Sequence, residues 1–157
     1  ISECLVGSEM CIRDSIYPQQ EYDVRKHELK RFLEAQNVPY VEDEYDHHEW
    51  LSVIKGLEDE PERGSRCSVC FQFRLSHAAK YAQEHGFHLL TTTLASSRWK
   101  NIRQIDTAGH LAVEAYPDVE WWDMNWRKGG LQNRRGELLR INEFYNQLYC
   151  GCEFSMR

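Results

Sequence analysis

Four of the six cysteines fall into two tight pairs, and pairs of thiols are what this chain has to do chemistry with. The stretch GSRCSVCFQF, residues 64–73, sets Cys67 and Cys70 three apart at what reads as a helix start. That spacing brings two sulfurs together, and a helix N-terminus favours the thiolate that metal ligation needs. The stretch LYCGCEFS, residues 148–155, sets Cys150 and Cys152 two apart around Gly151. Such a pair can close a small strained ring or chelate one metal ion, and strained disulfides are the labile, functional ones. Four thiolates together would satisfy a zinc ion or an iron–sulfur cluster. Either pair alone could be inert or accidental, but two pairs in one chain are harder to dismiss. The acidic and histidine run EDEYDHHE, residues 42–49, also holds ligand types in His47 and His48, yet its composition suits a solvated helix start better.

These residues need a scaffold, and the hydrophobic pattern predicts one that alternates. Residues 20–36 set Tyr22, Leu29, Phe32 and Leu33 on one helical face. A short apolar stretch at 38–41 and a short helix around Trp50, Leu51 and Ile54 follow. A helix over 69–85 turns Cys70, Leu75, Ala78, Ala79 and Ala82 inward, and Gly86 stands where a C-terminal cap belongs. A buried strand at 87–92, a helix over 99–115, a strand at 119–122 and a last helix over 132–146 complete the series. Strands separated by helices imply an α/β layered, mostly parallel sheet, whose ligands collect at the carboxyl ends of the strands. The loops after 87–92 and 119–122 should therefore face one cleft.

Composition bounds the rest. A domain of 157 residues buries about two-thirds of its unfolded surface and does not need cysteine staples. The 41% hydrophobic and 28% charged fractions are those of an ordinary soluble domain. No apolar run nears the ~20 residues of a membrane span, so a cytoplasmic protein with no membrane partner is expected. In a reducing compartment paired cysteines bind metal or do redox chemistry more often than they cross-link. A net charge of −6 argues against nonspecific coating of nucleic acid while leaving room for a local basic groove. Residues 1–15, ISECLVGSEMCIRDS, show neither helical nor strand periodicity. They are expected to be a non-homologous or artefactual leader, resembling translated adapter sequence, ahead of a single domain over 16–157 that lacks its first strand.

The segments YPQQEYDVRKHE, EDEPERGSRCSVCFQFRL, TTTLASSRWKNIRQI, WWDMNWRKGG and FYNQLYCGCEFS, in that order, resemble successive motifs of the QueH-type epoxyqueuosine reductases. The resemblance runs from Ile16 to about Ser155. It implies a three-layer, nucleotide-hydrolase-like (HUP-like) α/β fold that removes the epoxide oxygen of epoxyqueuosine at the wobble position of tRNA, giving queuosine. It implies a four-iron, four-sulfur (4Fe-4S) cluster held in part by Cys67 and Cys70, with a second iron or zinc ion as a further option. Cys150 and Cys152 would be a redox-active pair beside the cluster, with metal ligation the open alternative. Members of that family begin with a strand ending in Cys-Cys-x-Pro-Cys. Cys4 and Cys11 have the wrong spacing to match it, and no role passes to them.

Epoxide deoxygenation takes two electrons and two protons, so an electron donor and a proton donor are required. Asp123 is the candidate proton donor, although a solvated loop aspartate is the plainer reading. For the tRNA partner, the densest basic cluster is Arg127, Lys128, Arg134 and Arg135, with Trp126 nearby for stacking. Arg98 and Lys100, opening a helix after a strand, form a second anion-binding candidate. The rival reading is a non-catalytic, zinc-stabilised nucleotide- or RNA-binding α/β domain that uses Cys67, Cys70, Cys150 and Cys152 as a four-cysteine site.

Overall fold

The computed structural model describes residues 4–6, 9–12, 15–42 and 45–156. It has an α/β fold built on one five-stranded sheet. The strands are β1 (Cys4–Val6), β2 (Glu9–Ile12), β3 (Tyr40–Glu42), β4 (Leu89–Thr92) and β5 (Glu120–Trp121), in the spatial order β3-β2-β1-β4-β5. β2 pairs with β3 and β4 pairs with β5 in parallel, while β1 is antiparallel to both of its neighbours. Only β1 therefore runs against the rest, and the sheet is mixed.

Within the expected leader, residues 4–6 and 9–12 form strands whose backbones make the middle of the sheet. Their periodicity is weak, but β3 and β4 each present a row of backbone groups that require partners, and hydrogen bonding recruits the chain regardless of side-chain pattern. The remainder of the expected leader, residues 1–3, 7–8 and 13–14, lies outside the described residues.

Five helices accompany the sheet: α1 (Gln19–Ala35), α2 (His47–Val53), α3 (Ser65–Glu84), α4 (Ile102–Val113) and α5 (Leu131–Ile141). α3 and α4 share the main core with β4 and β5, built from Phe71, Leu75, Ala78, Ala79, Leu90, Ile105, Ala108, Ala112 and Trp121. The alanines let the two helices approach closely. A second cluster joins Tyr22, Leu29 and Leu33 of α1 to Ile16 and to Tyr40 of β3. A third packs Trp50 and Ile54 onto Phe73 of α3, with Cys70 and Cys152 at its edge.

The helix ends have local causes. Asp46 caps α2 by accepting the Glu49 N–H at 3.1 Å, and Asn101 caps α4 by accepting that of Arg103 at 3.0 Å. α4 thus opens three residues later than periodicity predicts. α3 opens four residues earlier, at Ser65, because the Glu60 carboxylate accepts the Ser65 N–H at 3.2 Å. Buried Arg66 also donates to the carbonyls of Leu57, Glu58 and Glu60 and folds the preceding loop onto the helix. At Gly64 a β-carbon would stand 2.7 Å from that Glu60 carboxylate and 2.9 Å from the Pro61 carbonyl. Charged residues that read as a solvated loop are in effect the N-terminal cap. α5 ends at Ile141 rather than 146 and buries no residue fully.

Gly109, inside α4, meets the ring of Trp121 so closely that a β-carbon there would overlap it. Glycine in a helix interior costs about 1 kcal/mol against alanine, so here tertiary contact overrides propensity. Gly109→Ala should destabilise the domain by about 3 kcal/mol or more through overpacking, measured as a lower urea midpoint. A midpoint equal to or above that of the parent would show that α4 and β5 do not pack this way.

Candidate active site

The turn that carries Cys150 and Cys152 belongs to no helix or strand and is held from below. Gly151 is buried with φ 104, a left-handed conformation that favours glycine. A β-carbon there would approach Ile16 at 3.0 Å and an Arg25 nitrogen at 3.3 Å. The Tyr17 N–H donates to the Gly151 carbonyl at 2.8 Å. Buried Arg25 donates from Nη2 to the Tyr149 carbonyl at 3.0 Å and from Nε to Glu21 at 2.8 Å. The Tyr149 hydroxyl in turn donates to the Tyr17 carbonyl. The glycine permits the sharp turn, as its position between two cysteines predicts, and it also permits the close seat on α1.

That seat brings the CxC turn to the first turns of α3. Cys70 and Cys152 both pack against the Trp50 cluster. Cys67 feels the charges of Cys70 and Cys150, and Lys100 acts on both Cys67 and Cys150. All four cysteines are free and half-buried. Their sulfurs are provided with hydrogen-bond donors. The Arg63 backbone N–H donates to Cys67 Sγ and the Trp50 indole N–H to Cys70 Sγ, each at 3.3 Å. Ser155 Oγ lies 2.9 Å from Cys150 Sγ.

The pairs differ electrostatically. Burial pushes the Cys67 thiol up, against the pull of the Arg63 N–H and Lys100. Cys150 is held well below an ordinary thiol by the hydrogen bond from Cys152, assisted by Lys100 and Ser155 and opposed by burial. The same hydrogen bond, with burial, drives Cys152 up. In the CxC turn the negative charge therefore favours Cys150 and the proton favours Cys152, the two titrating as one unit.

Among the described residues, no three His, Cys, Asp or Glu side chains assemble into a site for a single metal ion. Cys67 and Cys70 nevertheless suit an iron–sulfur cluster in donor type: two sulfurs on one helix face, each already accepting an N–H, with a lysine nearby. N–H donors to the sulfurs are a known means of tuning such clusters.

The other predicted residues divide. The loops after β4 and β5 do meet: Trp126 Nε1–H donates to the Thr92 carbonyl at 3.0 Å, and Arg127 donates to the carbonyls of Ala95 and Lys100, each at 3.0 Å. Trp126 and Arg127 are therefore half-buried ties between the loops, and burial lowers the pKa of Arg127. Lys100 belongs with the thiols. Arg98 and Lys128 are exposed, Arg135 is half-buried, and Arg134 pairs with Glu137 at 3.0 Å. Asp123 is exposed, and its charge is felt by Asp106, whose carboxyl burial pushes up. Of the EDEYDHHE run, Asp43 and Glu44 lie outside the described residues. His47 pairs with Glu153 at 2.9 Å between the rings of Tyr45 and Trp50, and His48 is exposed. Sequence reasoning missed Arg25, Trp50, Arg63 and Ser155 as partners of the site. Arg25 and Trp50 act across long sequence separations and Arg63 through its backbone N–H, so only Ser155, three residues after Cys152, offered a local hint.

An α/β domain that sets two cysteine pairs beside one lysine has a donor set suited to thiol or metal chemistry. The family model described as "Epoxyqueuosine reductase QueH" matches residues 8–157, and the chain belongs to that family. It is similar to the proteins named epoxyqueuosine reductase QueH of Histophilus somni, at 48% identity over 143 residues, and of Acinetobacter baylyi, at 46% over 143 residues. The matches cover 91% of this chain in both cases, but 59% and 66% of the respective relatives. A third, from Haemophilus influenzae, is 46% identical, with 58% of its length covered. The chain thus spans about three-fifths of the length of these relatives.

Alkylation of the metal-free chain tests the split pair. As pH falls from about 8 to about 6, an ordinary thiol, with a pKa of about 8.5, loses reactivity nearly tenfold per unit. Cys150 should stay nearly flat over that range, because its depressed pKa keeps the thiolate. Cys152→Ala should restore an ordinary profile at Cys150, as read by peptide mapping. A Cys150 profile unchanged by Cys152→Ala would disprove the shared proton.

Proposed function

We propose that this chain carries the thiol chemistry of a reductase that converts epoxyqueuosine to queuosine at the wobble position of tRNA. The observation that carries the reading is the gathering of Cys150 and Cys152, on one turn, against Cys67 and Cys70 of α3 beside Lys100. Family membership supplies the substrate class. The nucleotide-hydrolase-like, three-layer architecture is part of the same proposal, supported by the alternation of strand and helix from α1 onward.

Removing an epoxide oxygen to leave an alkene consumes two electrons and two protons and releases water. Closing one S–S bond from a thiolate and a thiol supplies the two electrons and one of the two protons, and the second proton comes from a separate donor. Cys150 and Cys152 would hold these equivalents, and an electron donor would reset them. Cys67 and Cys70 would hold two corners of a 4Fe-4S cluster, which passes electrons one at a time. A second iron or zinc ion at Cys150 and Cys152 is the variant of this scheme in which the pair grips the departing oxygen. Lys100 would steady the negative charge that builds on the sulfurs. Asp123 is retained as a proton-donor candidate on chemical type alone. Arg98, Lys128, Arg134 and Arg135 offer phosphate contacts on the surface, and Trp126 with Arg127 shapes the loops that present them.

The test uses the chain with a Cys-Cys-x-Pro-Cys segment added at its N-terminus, reconstituted without oxygen. Cys67→Ser or Cys70→Ser should lose bound iron and visible absorbance. Cys150→Ser or Cys152→Ser should keep most of both and abolish epoxide reduction. Equal loss of iron in all four variants would move Cys150 and Cys152 into the ligand set, and tight binding of one zinc ion with no iron would favour the four-cysteine domain.

A further inference from the structure

Four of the five tryptophans are engaged. Trp50 is buried and bonded to Cys70, Trp121 is in the core, Trp126 is bonded to Thr92, and Trp122 meets Trp126 edge to face. Trp99 is 74% exposed, and among the described residues no ring or cation stacks on it. One exposed ring is ordinary on a protein surface, but this one stands beside the thiols. Its backbone is not loose. The Trp99 carbonyl accepts from Arg63 Nε at 2.9 Å, and the next carbonyl, of Lys100, accepts from Arg127 at 3.0 Å.

Arg63 links this ring to the thiols. Its backbone N–H donates to Cys67 Sγ while its side chain holds Trp99. It does so with φ 66, an uncommon conformation for a non-glycine residue and one that recurs at functional sites. A small cleft runs between them, lined by Cys67, Phe71, Trp99 and Gln104, and the Gln104 carbonyl oxygen is buried there without a partner. Around the ring the sequence sets Arg63, Arg98, Lys100 and Arg103, against Glu62, in a chain whose net charge is −6. An exposed, braced aromatic ring among cations suits a polyanion with flat apolar faces, which is single-stranded RNA. A protein partner would find the ring but waste the charge.

We propose that Trp99 is the stacking platform for an unpaired base of the tRNA anticodon loop and places that nucleotide beside Cys67. The proposal rests on the tRNA reading above. Trp99 is a positioning residue, and its contribution is stacking rather than charge.

The probe is a synthetic anticodon stem-loop RNA with guanosine at the wobble position, titrated into the full 157-residue chain across a range of salt concentrations. Trp99→Ala should weaken binding about tenfold with the salt dependence unchanged, and Trp99→Phe should retain most of the affinity. Arg98→Ala should instead flatten the salt dependence, by a slope of about 0.7 for a single-strand contact. With 2-aminopurine in the loop, the parent should quench its fluorescence on binding. Parent affinity in Trp99→Ala, a salt slope that falls as in Arg98→Ala, or no quenching by the parent would each overturn stacking while leaving the tRNA reading intact. Failure of the parent to bind the RNA would overturn both.

Discussion

The contact of Gly151 with Ile16 and Arg25 is the constraint on which the site depends. The turn that carries Cys150 and Cys152 belongs to no long element, and its local ties are those of Ser155 to Cys150 and Cys152. A close backbone approach, a Tyr17 N–H on the Gly151 carbonyl and an arginine on the Tyr149 carbonyl seat it on α1. A side chain at 151 would press Ile16 and Arg25 aside by a few tenths of an ångström, at a φ that strains any residue but glycine. Glycine here meets two separate demands, a positive φ and the absence of a β-carbon.

Buried arginines recur as the means of joining segments that have no common element. Arg25 ties the CxC turn to α1, Arg66 folds the loop before α3 onto that helix, and Arg127 joins the loops after β4 and β5. Arg66 and Arg127 donate to backbone carbonyls, and Arg25 divides its donors between the Tyr149 carbonyl and the Glu21 carboxylate. Burying a guanidinium costs several kcal/mol unless its donors are used. Its planar fork can use several at once, which a lysine could not do. The arginines therefore sit where irregular backbone must be packed, and irregular backbone is what carries the thiols.

The thiols then owe their chemistry to what faces them. Lys100 acts on Cys67 and Cys150 together, so the two pairs share one electrostatic environment although eighty residues separate them. Within the CxC pair one proton lowers one sulfur and raises the other. That asymmetry is what a dithiol needs to begin exchange: an attacking thiolate with a protonated neighbour.

The sequence by itself determined the helical and strand segments from α1 onward, because burial of one face imposes a period that local residue types reveal. It also singled out the two cysteine pairs as the candidate centre, since their spacing is a property of neighbours, and Gly86 and Gly151 as turn residues. It misjudged the start of α3, where a capping network of Glu60 and Arg66 is written in residues that look like a solvated loop. It also passed over the strands at 4–6 and 9–12, where backbone pairing with β3 and β4 needs no side-chain period. Only the tertiary structure decided which basic and aromatic residues serve which purpose. Lys100 faces the thiols, Arg127 and Trp126 brace loops, and Trp99 is left bare. The physical reason is that a charge or a ring takes its role from what it meets, and its partners in this fold lie tens of residues away along the chain.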